Sequence, residues 1–591
     1  MAVRLHRFRT LVVTLVAIAM LLQASPASAT EPAHQTVAAE GTPTTALELG
    51  LTIPPSSAER FEGEGTPLSA YTTMSASEPG WAHDLRDPND VHPDLLAEAT
   101  RLASELAALN GTVPAFAADA ATPTIRFIHD PNHRELHLAT TAQEIQLTAP
   151  DRDGFAILTR TLLALDEHFS EEGIPPLNLT FAPPLEHRSI HLDIARKHYS
   201  PEAIRGFIDE AAWAGLNELE LHFSEFEGFA IESERYPDIA SPDALSKDEV
   251  RQLVNYGAAR GVRLSPSLDM PGHLEHVLDT HPEFRLQTGS GQDTYGGLDI
   301  TNPEAVAFAD NLIGEYAELF PKGSWNLGAD EFVDFDDADE VARLTAHAQA
   351  NHGPTATAFD ALTEFVNGRA AKLAELGFTT RVWSDGMLRG SVVTLDPAIE
   401  VAYWTTRPEG VATTDAFAAG GHPLINVNDE FLYFVLGERV GYAYPTGERI
   451  FESWMPETFP SLGGTAQEAE AAGAMFAIWS DIPDALSDAE VLERARPGIR
   501  AMAWKLAAGG EPAEAGWTEF AASTSEPAPA VAQAELPAGW GESIEVPADE
   551  DAASAPAGSP EFPWWMVWTA GVLAVGLALA VISRRKHRHT A

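Results

Sequence analysis

The chain has 591 residues, no cysteine, 45% apolar residues and a formal net charge of −50 at pH 7. That length implies roughly two or three domains plus tails, and the apolar share supplies a large core. The charge excludes the Lys/Arg footprint of a nucleic-acid binder, and the missing cysteine excludes disulfides, thiolate nucleophiles and zinc–thiolate sites.

The N-terminus carries Arg4, Arg7 and Arg9, an apolar run from Leu11 to Leu22, and Ala27-Ser28-Ala29. This pattern predicts a secretory signal over 1–29, cut after Ala29. Residues 30–90, rich in Ala, Pro, Thr, Ser and Glu, read as a spacer that runs into the start of a small domain. Over 91–185, PDLLAEATRLASELAAL (93–109) has helical spacing, and GFAILTRTLLALDEHF (154–169) is an amphipathic helix. TIRFIHD (124–130), ELHLATT (135–141) and EIQLTAP (144–150) alternate like antiparallel strands, so a small α+β domain is expected.

From 186 to 508 strand and helix patterns alternate. RSIHLDI (188–194), NELELHF (217–223), VRLSPSLD (262–269), WNLGADE (325–331), TRVWSD (380–385), IEVAYW (399–404), PLINVND (423–429) and MFAIWSD (475–481) read as strands. Helices are predicted near 200–215, 246–260, 303–320, 357–376 and 487–507, the first with Ser200 as cap and Pro201 at its first position. Eight strands, each followed by a helix or long loop, predict a closed (β/α)8 TIM barrel. Asp193, Glu331, Asp385, Trp404, Asp429 and Asp481 end strands, so they should meet at one mouth.

Residues 509–562 read as a disordered acidic stalk. The uncharged run from Trp564 to Ile582, with Trp564, Trp565 and Trp568 at its outer edge, predicts a transmembrane helix over 563–583. Arg584, Arg585, Lys586 and Arg588 make 584–591 a basic cytoplasmic tail. The expected layout is an exported protein held at the cell surface by its C-terminal helix.

The stretch SWNLGADEF (324–332) ends a buried strand in two consecutive carboxylates, Asp330 and Glu331. Two adjacent acids at a barrel mouth are costly unless one is protonated or a cation is near, which points to a general acid beside an orienting carboxylate. The later acids, Asp334 to Glu340, read as a solvated loop and lack the spacing of a calcium loop. No metal and no cofactor are implied.

Residues 187–505 resemble the catalytic barrel of glycoside hydrolase family 20, the β-N-acetylhexosaminidases. The resemblance is carried in order by HRSIHLDIARKHYSPE (187–202), LHFSEFEGFAIES (221–233), DMPGH (269–273), LGADE (327–331), VWSDG (382–386), YW (403–404), FLY (431–433) and IWSD (478–481). It implies substrate-assisted catalysis, in which the sugar's own 2-acetamido oxygen attacks the anomeric carbon. Glu331 would then be the acid/base, Asp330 would accept the acetamido N–H, and Tyr433 would donate to the acetamido oxygen. Neighbouring acids suit that scheme better than one with carboxyls on opposite sides of the bond. Trp383, Trp404 and Trp479 would wall the sugar, with Arg188, His273, Asp385 and Asp481 also binding it. Taken alone, Tyr433 reads as core, Arg188 as a surface salt bridge, and His273 as a capped loop histidine as readily as a ligand.

The implied substrate is an oligosaccharide or glycoconjugate with terminal β-linked GlcNAc or GalNAc, released by a retaining exo-glycosidase. The chain departs from the family at Glu225-Phe226-Glu227-Gly228-Phe229 and at Trp479-Ser480-Asp481, where a shorter acid replaces the usual glutamate. That shorter acid resembles the lacto-N-biosidase branch, and the 221–233 stretch the poly-GlcNAc-cleaving branch. A surface lectin that had lost turnover is the reading from another class.

Overall fold

The computed structural model describes residues 41–78, 81–83, 93–116, 123–507, 516–529 and 533. Eight parallel strands close into a barrel: β1 (His187–Asp193), β2 (Glu218–His222), β3 (Arg263–Ser267), β4 (Ser324–Asn326), β5 (Thr379–Trp383), β6 (Glu400–Tyr403), β7 (Leu424–Asn426) and β8 (Gly473–Trp479). They pair in chain order, and β8 returns to β1 in register from His187↔Gly473 to Leu192↔Ile478. A further short strand, Tyr433–Val435, adds to the far end of β8.

Local chemistry starts the surrounding helices where the sequence places them. Ser200 caps the helix Pro201–Trp213 by accepting from the Ala203 N–H. Ser246 and Glu249 form a capping box at the start of Lys247–Ala258. The long helices Pro303–Tyr316, Ala358–Glu375 and Asp488–Ala507 bury their apolar faces on the barrel.

The barrel interior is charged at one level. Arg381 is fully buried and bonds Glu220 at 2.7 Å, and Glu218 and Glu400 at 3.2 Å each. It also donates to His187 Nδ1 at 3.2 Å. Burial and the neighbouring guanidinium pull the His187 imidazole down to about 3, so it stays neutral and accepts.

Before the barrel lies one mixed sheet flanked by the helices Pro93–Asn110 and Arg152–His168. Its order is Thr42–Pro43, Ser57–Arg60, Leu177–Phe181, Leu136–Thr140, Glu144–Ala149, Thr124–His129, Thr73–Glu78, Trp81–His83. The expected separate small α+β domain is corrected here: the described residues from Thr42 onward form one compact unit. Arg188 bonds Asp153, Arg152 donates to the Ala258 carbonyl at 2.6 Å, and Thr52 to the Trp213 carbonyl at 3.0 Å, all across the junction. The strands are not all antiparallel, since Thr124–His129 pairs parallel with Glu144–Ala149. Within 42–83, expected as spacer running into the start of the small domain, Thr42–Pro43, Ser57–Arg60, Thr73–Glu78 and Trp81–His83 are strands of this sheet.

The tails need correction too. Among the described residues no helix is long and apolar enough to cross a membrane. The expected C-terminal anchor, and with it the exported, cell-surface, membrane-held placement, therefore has no support among those residues. The signal segment 1–29, the run 563–583 and the tail 584–591 lie outside the described residues. Within the expected stalk, Trp517–Ser523 is a helix whose buried Phe520 stacks on Phe451 at 4.7 Å.

Candidate active site

β4 stops at Asn326 because the next residues leave extended geometry. Gly328 has φ +74° and Ala329 φ +69°. A Cβ at position 328 would lie 1.8 Å from Asp269 Oδ1, so only glycine fits against that carboxyl. Asp269, just past β3, accepts the Ala329 N–H at 3.1 Å and pins the loop. Glu331 (φ +42°) and His273 (φ +55°) are left-handed without being glycine, strain of the kind that functional sites hold.

The loop sets two acids in different surroundings. The Asp330 side chain is 11% exposed and that of Glu331 59%. Burial, and then Asp269 beside it, push the Asp330 carboxyl well above the usual carboxylate range. Burial pushes Asp269 up as well. The pair therefore holds a proton far more tightly than an isolated acid does. His273 bonds Glu225 through Nδ1 at 2.9 Å and places Nε2 3.7 Å from Asp330 and 3.8 Å from Glu331. Burial opposes its charge, but Glu225 and Asp330 raise the imidazole to about 10. Asp269, His273 and Asp330 bring three donor atoms within 4.8 Å of one another. A histidine protonated on both nitrogens is nonetheless a poor metal ligand.

Aromatic rings wall the space beside these acids. Trp404 stacks on Tyr433 at 5.7 Å and 6°, Tyr433 meets Trp479 at 5.9 Å, and Trp479 meets Trp383 at 5.7 Å. Asp385, past the end of β5, accepts the Trp404 indole N–H at 2.8 Å and faces the Glu331 amide at 3.4 Å. Burial and neighbouring Tyr442 and Asp429 push the Tyr433 phenol up, so it remains a donor. Asp330 Oδ1, His273 Nε2 and the indole nitrogens of Trp383 and Trp479 are buried without a hydrogen-bond partner among the described residues. So many orphaned polar atoms in one place suit a polar ligand that completes them.

The family model for the glycosyl hydrolase family 20 catalytic domain matches residues 185–504. The chain belongs to glycosyl hydrolase family 20. Among relatives, a lacto-N-biosidase from Bifidobacterium bifidum is 27% identical over 333 residues, covering 55% of this chain and 29% of that protein. The chain thus spans under a third of that relative's length. A β-hexosaminidase from Akkermansia muciniphila is 26% identical over 422 residues, covering 64% and 78% of the two chains. The crystal structure of a β-N-acetylhexosaminidase from Bacteroides fragilis shares the fold, with TM-score 0.62 and 20% identity over 79% of this chain and 92% of that one.

Within this family 20 barrel, eight of the ten sequence-predicted residues form one connected group: Glu331, Asp330, Tyr433, His273, Trp383, Asp385, Trp404 and Trp479. Asp481 lies just past β8, its carboxyl raised by burial and lowered in part by Arg196. Arg188 is elsewhere. It sits near the start of β1, where its guanidinium bonds Asp153 at 2.7 Å and the carbonyls of Gly215 and Leu185 at 2.9 and 2.6 Å. Arg196, three residues beyond the end of β1, takes the place at the mouth. It bonds Asp193 at 3.0 Å and Glu225 at 2.5 Å and lies 5.7 Å over the Trp479 ring. The sequence reading missed Arg196, Glu225 and Asp269. The rule that barrel sites gather at strand C-termini would have favoured Arg196 over Arg188.

Proposed function

We propose that this chain removes terminal β-linked N-acetylhexosamine with retention, using the substrate's acetamido group as nucleophile. The observation that carries the reading is the buried, unpartnered Asp330 Oδ1 next to the accessible Glu331. An acetamido N–H would complete that oxygen, and the adjoining aromatic walls suit the methyl and the apolar face of a sugar.

In the first step the acetamido oxygen attacks the anomeric carbon, and the glycosidic C–O bond breaks. The leaving oxygen takes its proton from Glu331. Asp330 steadies the positive charge that spreads onto the acetamido nitrogen, and Tyr433 holds the acetamido oxygen for attack. In the second step Glu331 takes a proton from water, whose oxygen opens the oxazolinium ring and restores the acetamide. His273, held cationic by Glu225, stands 3.8 Å from the Glu331 carboxyl. Arg196 and Asp481 would grip the sugar's hydroxyls.

The test is turnover of p-nitrophenyl-β-GlcNAc and its inhibition by a thiazoline analogue of the cyclised sugar. Turnover with competitive inhibition supports the reading. Absence of both would refute it. Release of a galactosyl-β-1,3-GlcNAc disaccharide is the second reading, favoured by the short Asp481 side chain. Activity on p-nitrophenyl-lacto-N-bioside alone would select it.

A further inference from the structure

The N-terminal layer carries a side-chain cluster that the glycosidase reading does not use. Strand Leu136–Thr140 alternates buried and half-buried residues, so His137 faces outward from the sheet. The turn before it closes with the His133 N–H on the Asp130 carbonyl at 3.0 Å. This brings His133 back beside the strand. Its Nε2 lies 2.8 Å from the Nε2 of His137, with ring centroids 4.8 Å apart. Glu135 adds a carboxylate oxygen, and the three donor atoms lie within 4.8 Å of one another.

Two ring nitrogens aimed at each other cannot both carry protons. Either one donates to the other, or both lone pairs point at a shared Lewis acid. Zinc–imidazole bonds of about 2.0–2.1 Å in a tetrahedron set two ligand nitrogens about 3.3 Å apart. The pair therefore needs to open by only about half an ångström, while the exposed Glu135 side chain swings in.

A second contact suits the ligating tautomer. His137 Nδ1 lies 3.2 Å from Thr180 Oγ1, on the residue directly opposite in strand Leu177–Phe181. Donation of Nδ1–H to that hydroxyl leaves Nε2 as the lone-pair nitrogen, the usual outer contact of a metal-ligating histidine.

We propose that His133, Glu135 and His137 form a three-ligand site for a divalent transition ion of the zinc class, with water in the open position. Two imidazoles select zinc, nickel or copper over magnesium or calcium. The ion would tie the turn at 130–133 to the outer face of the sheet, a structural role independent of the barrel mouth.

The full-length protein, stripped with chelator, is titrated with zinc chloride by calorimetry. The 20 histidines of the chain offer adventitious sites, so the readout is a difference. Wild type should take up one equivalent more than His133→Ala, and zinc should raise the unfolding temperature of wild type more than that of the variant. His133 lies on an exposed turn, so an unchanged circular dichroism spectrum verifies the variant's fold. Thr180→Val keeps all three donors and should weaken the same equivalent roughly tenfold. Equal zinc stoichiometry and affinity in wild type and His133→Ala would overturn the assignment.

Discussion

His273 is shared between two carboxylate environments: Nδ1 is anchored on Glu225 at 2.9 Å, while Nε2 looks onto Glu331 at 3.8 Å. Replacing Glu225 by Gln removes a carboxylate that holds the imidazole protonated up to about 10. His273 should then lose its proton at lower pH. Glu225→Gln is expected to lower kcat by roughly 10- to 100-fold and to move the alkaline limb of the rate profile toward neutrality. A pH–rate profile of both proteins checks this, and an unmoved limb would contradict it.

The two acids should fail differently. Glu331→Gln removes the proton donor and should cut kcat on p-nitrophenyl-β-GlcNAc by about 10²- to 10⁴-fold. The loss should shrink on a dinitrophenyl glycoside, whose leaving group needs no proton. Asp330→Asn should lose rate on both substrates, because the steering contact is made to the acetamide. Equal losses for Glu331→Gln on the two substrates would argue against its role as acid.

Gly328→Ala should fail on folding. The position combines φ +74° with a Cβ placed 1.8 Å from Asp269 Oδ1, and a cost of about 3 kcal/mol or more is expected. Gly368, inside helix Ala358–Glu375, offers the contrast: among the described residues, nothing stands within 4 Å of where its Cβ would be. Gly368→Ala should stabilise by about 0.5–1 kcal/mol. Thermal unfolding of the two variants compares them, and similar shifts in both would refute the packing argument.

Stability should peak near neutrality. His187 titrates near 3 in the folded barrel, against about 6.5 unfolded. Below about 6.5 the unfolded chain takes up a proton that the barrel refuses, so stability falls as pH drops toward 3. His273 works the other way. Its folded value of about 10 keeps its contribution whole below about 6.5 and lets it go as pH climbs through 10. Urea midpoints at pH 4.5, 6.5 and 9 test both limbs, and a monotonic rise would contradict the pair.

Two arginines separate what was legible from what was not. Arg188→Met should lower the unfolding temperature and leave KM unchanged, because its guanidinium is spent on Asp153 and two carbonyls. Arg196→Lys should raise KM several-fold through its loss of bidentate geometry at the mouth. The opposite pattern in KM would restore Arg188 as the sugar-binding arginine. β1 is seven residues long, so its two ends lie about 20 Å apart. A motif names the arginines of a strand without saying which end each occupies.

The eight barrel strands were legible because each is a short apolar run between clear helix or turn signals. Glu331, Asp385, Trp404 and Asp481 were legible because they close those runs, whereas Tyr433, which taken alone reads as core, came only through the family resemblance. The N-terminal sheet was only half legible. Strands such as Ser57–Arg60 have almost no apolar content of their own and exist through pairing with Leu177–Phe181, more than a hundred residues away. Asp269 was read only as part of the motif 269–273, with no role of its own, because its partner is a backbone turn that only the fold brings near.

Arg381 is held by Glu218 and Glu220 from β2 and Glu400 from β6, on opposite parts of the ring of strands. Until both arcs are in place, charges that water would have solvated sit without their counterpart. Fragments cut between β4 and β5 should therefore not persist as half-barrels, and the ring should assemble and melt in a single cooperative event.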